Sequence, residues 1–165
     1  VSIYLNNQNP IRNLTLQQVR KIYTGQYQNW SQVSGINEPI MVLNRMPNSG
    51  TYLYLKEYVL KGNDYTENAV NMPSYNRLLK AIEEDRRAIG YGGIWSQANI
   101  KSCRINGIRP TWKNIMNDEY PLSRYLYFYT VNTPEGEVRE FIDWVLGPQG
   151  QQIIKDVGYF PIWEF

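Results

Sequence analysis

Short strand-type runs alternate with helix-type runs along nearly the whole chain, and this alternation limits the fold more than any other feature. Val1, Ile3 and Leu5 share one face of a predicted strand over Val1–Asn6. A turn at Asn9-Pro10 follows. Thr15 then fits a helix N-cap, with Gln18 as its capping-box partner. Leu16, Val19, Ile22 and Tyr23 keep helical spacing, and Gly25 fits the left-handed residue that closes such a helix. Trp30 is expected to pack across the next loop.

Pro39 precedes a buried strand, Ile40–Leu43, and Arg45-Met46-Pro47-Asn48 reads as a loop. Ser49 opens a helix carrying Leu53, Tyr54, Val59 and Leu60, which ends at Gly62-Asn63. Asp64–Pro73 reads as irregular. Ser74 caps a further helix with Leu78, Leu79 and Ile82 on its inner face. Ala88–Tyr91 and Lys101–Ile105 read as strands, and Pro110-Thr111 begins a helical turn containing Ile115. Arg124–Val131 alternates tyrosines in a strand-like pattern. Glu137–Leu146 reads as a helix with Val138, Phe141, Ile142 and Val145 inward. Gly147-Pro148 breaks it, and Gln149–Val157 is the last helix. The expected class is α/β with mostly parallel strands.

Composition narrows the chemistry. The chain has 165 residues, enough for one domain or two small lobes, and 42% are hydrophobic, which argues against disorder. The net charge is +2 and no basic run stands out, so no nucleic-acid partner is expected. No histidine is present, which removes imidazole triads and the commonest metal ligand. Cys103 is the one cysteine, so a cysteine-built zinc site is excluded, and no cofactor is expected. Glu83-Glu84-Asp85 and Asp118-Glu119 read as surface charge, and no enzyme activity is expected. No apolar run is long enough for a bilayer, and Val1–Leu5 does not read as a signal peptide.

The stretch that carries chemistry is Ile40 to Leu55. A strand, a loop and a helix start place Ser49-Gly50-Thr51 in a first helical turn, where backbone N–H groups lack partners and attract anions. Gly50 lets a ligand approach the backbone, and the Ser49 and Thr51 hydroxyls can donate. Arg45 offers a planar fork suited to two oxygens of a tetrahedral oxyanion. The same pattern also fits a plain cap at Ser49 and a solvated arginine at Arg45, and both readings stay open.

Arg45-Met46-Pro47-Asn48-Ser49-Gly50-Thr51 resembles the Arg-x-x-x-Ser-Gly-Thr segment of phosphate ABC-transporter substrate-binding proteins. Asn9-Pro10 with Asn13-Leu14-Thr15, Ile22-Tyr23-Thr24-Gly25 with Asn29-Trp30, and Gly35 with Pro39-Ile40 are similar to further family segments in the same order. So are Ala88–Tyr91, Tyr120-Pro121-Leu122 with Arg124, and Gly150-Gln151 through Gly158-Tyr159 with Pro161. The resemblance implies a type-II periplasmic-binding-protein fold, with two α/β lobes that close on a ligand by hinge bending.

It further implies a complete second lobe, roughly 14–120, with residues 1–9 and 124–165 belonging to a partial first lobe. Arg45, Ser49, Gly50 and Thr51 match the family's second-lobe phosphate ligands. The family's opening first-lobe region, which supplies more donors and an acidic acceptor, has no counterpart here, so weak phosphate binding by this chain alone is expected. The implied partners are inorganic phosphate and the permease subunits of an ABC transporter. The implied location is periplasmic or extracellular, with a membrane anchor expected outside this chain. A second reading is a sensory or protein-interaction domain that kept the fold and lost transport. With first-lobe strands missing, Val1–Asn6 and Arg124–Val131 would expose an edge, through which a homodimer is expected to form.

Overall fold

The opening strand, β1 (Ser2–Asn6), lies inside a five-stranded sheet. The computed structural model describes residues 1–34, 36–93 and 99–163. The other strands of this sheet are β3 (Met41–Arg45), β4 (Val70–Met72), β5 (Ala88–Gly92) and β6 (Ile100–Ser102). Their order is β4-β3-β5-β1-β6. β3 runs parallel to β4 and β5, and β1 runs antiparallel to both β5 and β6. The parallel expectation therefore holds for every strand of this sheet except β1.

Ser2–Leu5 pair with Ile89–Gly92 on one side, and Tyr4–Asn6 pair with Ile100–Ser102 on the other. Both flanks of the strand are occupied, so β1 offers no edge for a second copy. Its residues explain this interior position. Ile3 and Leu5 join one apolar cluster, and Tyr4 joins the cluster on the opposite face. Asn6 is buried but has work to do there. Its Nδ2 donates to the carbonyls of Ile82 (2.9 Å) and Glu83 (2.7 Å), which end the helix above it.

Helices cover both faces. α1 (Leu16–Tyr23) starts at Thr15 with the full capping box, and it buries Val19, Ile22 and Tyr23. α4 (Tyr75–Glu84) starts at Ser74, whose hydroxyl accepts from the Arg77 N–H, and it buries Leu78, Leu79 and Ile82. α4 packs directly on β5. A Cβ at Gly90 would meet Ile82 Cδ1 at 2.7 Å and Leu78 Cδ2 at 2.8 Å, so only glycine allows this approach. Trp30 precedes the short helix α2 (Ser31–Ser34), is fully buried, and donates its indole N–H to the Arg87 carbonyl at 3.0 Å.

Several boundaries differ from the sequence pattern. Asp64–Pro73 contains β4, a short rim strand held by pairing with Leu43–Arg45. Lys101–Ile105 splits at buried Cys103. Before it, β6 pairs with β1; after it, β7 (Arg104–Ile105) pairs in parallel with β2 (Asn13–Leu14). The helix after Ser49 is α3 (Gly50–Tyr54) followed by a wider π-helical turn, Leu55–Val59. That turn closes with the Leu60 N–H on the Leu55 carbonyl at 3.0 Å, which swings Val59 and Leu60 into the core and leaves Leu53 exposed.

The last third departs most. After α5 (Trp112–Met116), Arg124–Val131 forms no strand, and Tyr129 is 90% exposed. α6 (Gly136–Leu146) buries no residue, and Phe141, expected inward, is 56% exposed. Cover on this face is partial: the Phe128 ring meets Phe141 edge-on at 6.1 Å and Gly150 packs on Val145, while Val138 and Phe141 stay exposed. Pro148 does not merely break α6. It occupies the first turn of α7 (Pro148–Asp156), where its missing N–H costs nothing. The α6–α7 hairpin is tied back by the Trp112 indole N–H on the Pro161 carbonyl (2.9 Å) and by Phe160 against the core. No helix of the described residues is long and apolar enough to cross a membrane.

Candidate anion-binding site

The candidate seat is the turn between β3 and α3. Arg45 was expected in a loop, but it is the last residue of β3, in register with Met72 of β4. The chain then turns, and the Ser49 N–H donates to the Met46 carbonyl at 2.9 Å. Ser49 stands at the N-cap with extended backbone, φ −79° and ψ 127°, and its side chain makes no capping hydrogen bond. The plain-cap reading of Ser49 therefore does not describe this geometry. The Leu53 N–H donates to the Ser49 carbonyl at 3.1 Å, so the amides of Gly50, Thr51 and Tyr52 precede the first intrahelical donor.

The Arg45 guanidinium lies over the Tyr75 ring, 5.6 Å from its centroid, and pairs with no carboxylate among the described residues. Its ring contact is with α4, not with Ser49 or Thr51. A different guanidinium touches the helix start. Arg124 Nη1 donates to the Gly50 carbonyl at 2.8 Å, and its guanidinium lies 5.8 Å from the Tyr54 ring centroid. Arg124 also pairs with no carboxylate among the described residues. The sequence placed Arg124 only as part of the Tyr120-Pro121-Leu122 segment, because a separation of 74 residues from Gly50 hides the contact. The helix start opens on a cleft of about 590 Å³ lined by Gly50, Tyr54, Tyr58, Arg124 and Tyr125, among others.

Behind the turn lies a group of phenols that the sequence did not single out. The Tyr91 hydroxyl donates to the Asn44 side-chain carbonyl and accepts from the Arg45 N–H at 3.3 Å. The Tyr65 hydroxyl donates to the Tyr52 carbonyl at 2.9 Å and sits 3.3 Å from the Tyr91 hydroxyl. Tyr23 meets both rings edge-on, at centroid distances of 6.0 Å and 5.5 Å. Burial pushes the Tyr91 phenol up to about 12 and raises that of Tyr65 as well, so both stay protonated donors at neutral pH. Cys103 is far less reactive than an exposed thiol, because burial pushes it up to about 12.

Fold and turn together describe an α/β domain with an open helix start. The chain belongs to the PBP superfamily, whose domain model matches residues 1–149. Its relatives narrow that further. It is 30% identical to the phosphate-binding protein PstS of Bacillus subtilis over 92% of this chain and 51% of that protein. It is 28% identical to the Pseudomonas aeruginosa protein of the same name over 98% of this chain and 57% of that one. A Clostridium perfringens structure with bound phosphate, described as a phosphate ABC transporter substrate-binding protein, superposes with a TM-score of 0.85. The two are 27% identical, over 98% of this chain and 68% of that one. A Vibrio cholerae ABC-type phosphate transport receptor gives a TM-score of 0.82 at 28% identity, over 96% and 68%. The chain spans about half the length of the curated relatives it matches. The expected PBP-type α/β architecture and the resemblance to phosphate-binding proteins are thus both borne out.

Proposed function

We propose that this chain binds inorganic phosphate as part of the solute-binding component of an ABC-type uptake system. One observation carries the proposal: the first turn of α3 presents early helical amides beside a Ser49 hydroxyl that caps nothing, in a chain similar to phosphate-binding proteins. In this reading Ser49, Gly50 and Thr51 donate to phosphate oxygens. Arg45 supplies a guanidinium that no described carboxylate neutralises. The protein delivers its ligand to permease subunits outside the cell membrane, in the periplasm or extracellularly, and catalyses no reaction.

Residues of about 14–120, together with β1, form one lobe in this reading. Residues 124–163 belong to the partial first lobe, whose remainder would cover the exposed face of α6. Titration calorimetry of the complete gene product with phosphate and with sulfate tests the assignment. Arg45→Ala should weaken phosphate binding by about tenfold to a hundredfold, the loss expected for a charge-assisted hydrogen bond. Unchanged phosphate affinity in that variant would remove Arg45 from the site.

A further inference from the structure

We propose that Tyr65 and Tyr91 are positioning residues for the phosphate seat, bracing the turn from Arg45 to Thr51 at both of its ends. The proposal rests on the phosphate reading of that turn. The residue just before the turn is Asn44, and the residue just after it is Tyr52. Tyr91 holds the first end, donating to the Asn44 side chain and accepting from the Arg45 N–H. Tyr65 holds the second end through the Tyr52 carbonyl. The two phenols belong to different parts of the chain, Tyr91 to β5 and Tyr65 to the segment before β4. They meet at 3.3 Å between oxygens.

Proton accounting supports a brace rather than a loose cluster. Each phenol has one proton to give. The Tyr65 proton goes to the Tyr52 carbonyl at 2.9 Å, and the Tyr91 proton goes to Asn44, which is 2% exposed. Both protons are thus spent on the flanks of the turn, and the oxygen-to-oxygen approach is filled by packing of the rings. Tyr52 itself packs against Tyr65, with centroids 4.5 Å apart and the rings tilted by 33°. Losing the Tyr91 hydroxyl leaves the Asn44 side-chain carbonyl with the local Arg45 N–H at 3.0 Å, and losing the Tyr65 hydroxyl leaves the Tyr52 carbonyl with the local Leu55 N–H, so each flank loses its tie across the fold. The turn would then sample geometries in which the amides of Gly50 and Thr51 no longer converge on one point. Preorganised donors bind an anion more tightly than donors that must first be ordered.

The test uses the complete gene product, inorganic phosphate as the probe, and Tyr65→Phe, Tyr91→Phe and Tyr23→Phe variants. Tyr23 shares the ring cluster, but its hydroxyl reaches only the Leu43 carbonyl at 3.5 Å, so it controls for ring packing. Phosphate affinity should fall about threefold to tenfold in Tyr65→Phe and Tyr91→Phe, the size of one net hydrogen bond, and stay unchanged in Tyr23→Phe. The second readout is the backbone ¹⁵N shifts of Gly50 and Thr51 at phosphate saturation. A merely destabilised protein reaches wild-type shifts once saturated, whereas a misplaced turn does not. If wild-type protein binds phosphate with shifts at Gly50 and Thr51, and both variants match it in affinity and saturated shifts, the brace is overturned alone. If wild-type protein shows no phosphate-dependent shift at Gly50 or Thr51, the seat itself fails and the brace falls with it. Should Tyr91→Phe not fold, Tyr65→Phe carries the same comparison from the less buried end.

Discussion

Arg124 Nη1 donates to the Gly50 carbonyl across 2.8 Å, which fixes the start of α3 to the chain that leaves the second half of the domain. Gly50 has no Cβ, and an added one would sit 3.4 Å from Arg124 Nη2. Alanine is therefore tolerated with a small shift of an exposed side chain, and it favours helix over glycine by up to about 1 kcal/mol. The same methyl stands where a ligand would approach the backbone. Gly50→Ala should leave the thermal midpoint unchanged or raised while phosphate affinity falls. Calorimetry and thermal unfolding on one preparation check both signs. A parallel loss of stability and affinity would mean that Gly50 serves the fold and not the seat.

The capping box at α1 offers a purely structural test. Thr15 Oγ1 accepts from the Gln18 N–H at 3.1 Å, and Gln18 Oε1 accepts from the Thr15 N–H at 2.8 Å. Thr15→Ala removes the first bond and should cost about 1 kcal/mol. Gln18→Ala should cost less, because the exposed Thr15 N–H can turn to water. Denaturant unfolding of the two variants should rank them in that order, with phosphate binding unaffected in either.

These two sites differ in how plainly the sequence announced them. The capping box, the helix over Leu78–Ile82 and the strand at Ile3–Leu5 are written in residues a few positions apart, so spacing alone exposes them. The Arg45-to-Thr51 turn was legible for the same reason. What stayed hidden needs a partner far along the chain. Val70–Met72 carries little strand signal and becomes β4 because the backbone of Leu43–Arg45 lies beside it. Lys101–Ile105 reads as one strand, yet it changes partner at Cys103. Arg124–Val131 shows the reverse case. Its alternating tyrosines have the propensity for a strand, but no neighbouring strand pairs with them, and propensity without pairing does not make a sheet. The same holds for the Val138 and Phe141 face of α6, whose period is right and whose cover among the described residues is incomplete. Tyr65, Tyr91 and Arg124 reach the Arg45-to-Tyr52 stretch only through tertiary contact, so no spacing rule could have found them.

Cys103 should behave as a core residue. It is fully buried at the point where the chain passes from β6 to β7, and burial pushes its thiol up to about 12. At pH 8 only about one molecule in ten thousand would carry the reactive thiolate. A thiol reagent such as a chromogenic aromatic disulfide should label native protein far more slowly than protein unfolded in guanidinium. Rapid labelling of the native form would mean that the β6–β7 passage opens easily.

Acid should reveal the contribution of Asp85. Its Oδ1 accepts from the Arg87 N–H at 2.8 Å, and its Oδ2 accepts from Arg87 Nη2 at 2.6 Å, so the side chain shapes the turn from α4 into β5. The Arg87 side chain, followed by its backbone N–H, holds the carboxyl below its ordinary value of 3.8 despite partial burial. A carboxyl depressed on folding stabilises the fold above its unfolded value, and that contribution disappears as pH falls through the lower folded value. Asp85→Asn should therefore destabilise the protein by about 1 kcal/mol near neutrality, a modest figure because Arg87 is exposed. The gap between wild type and variant should hold from pH 7 to about 5 and close as the pH drops below 4. Denaturant unfolding across that range reads it directly. A gap that persists unchanged at pH 2 would show that the asparagine harms the turn by shape and not by lost charge.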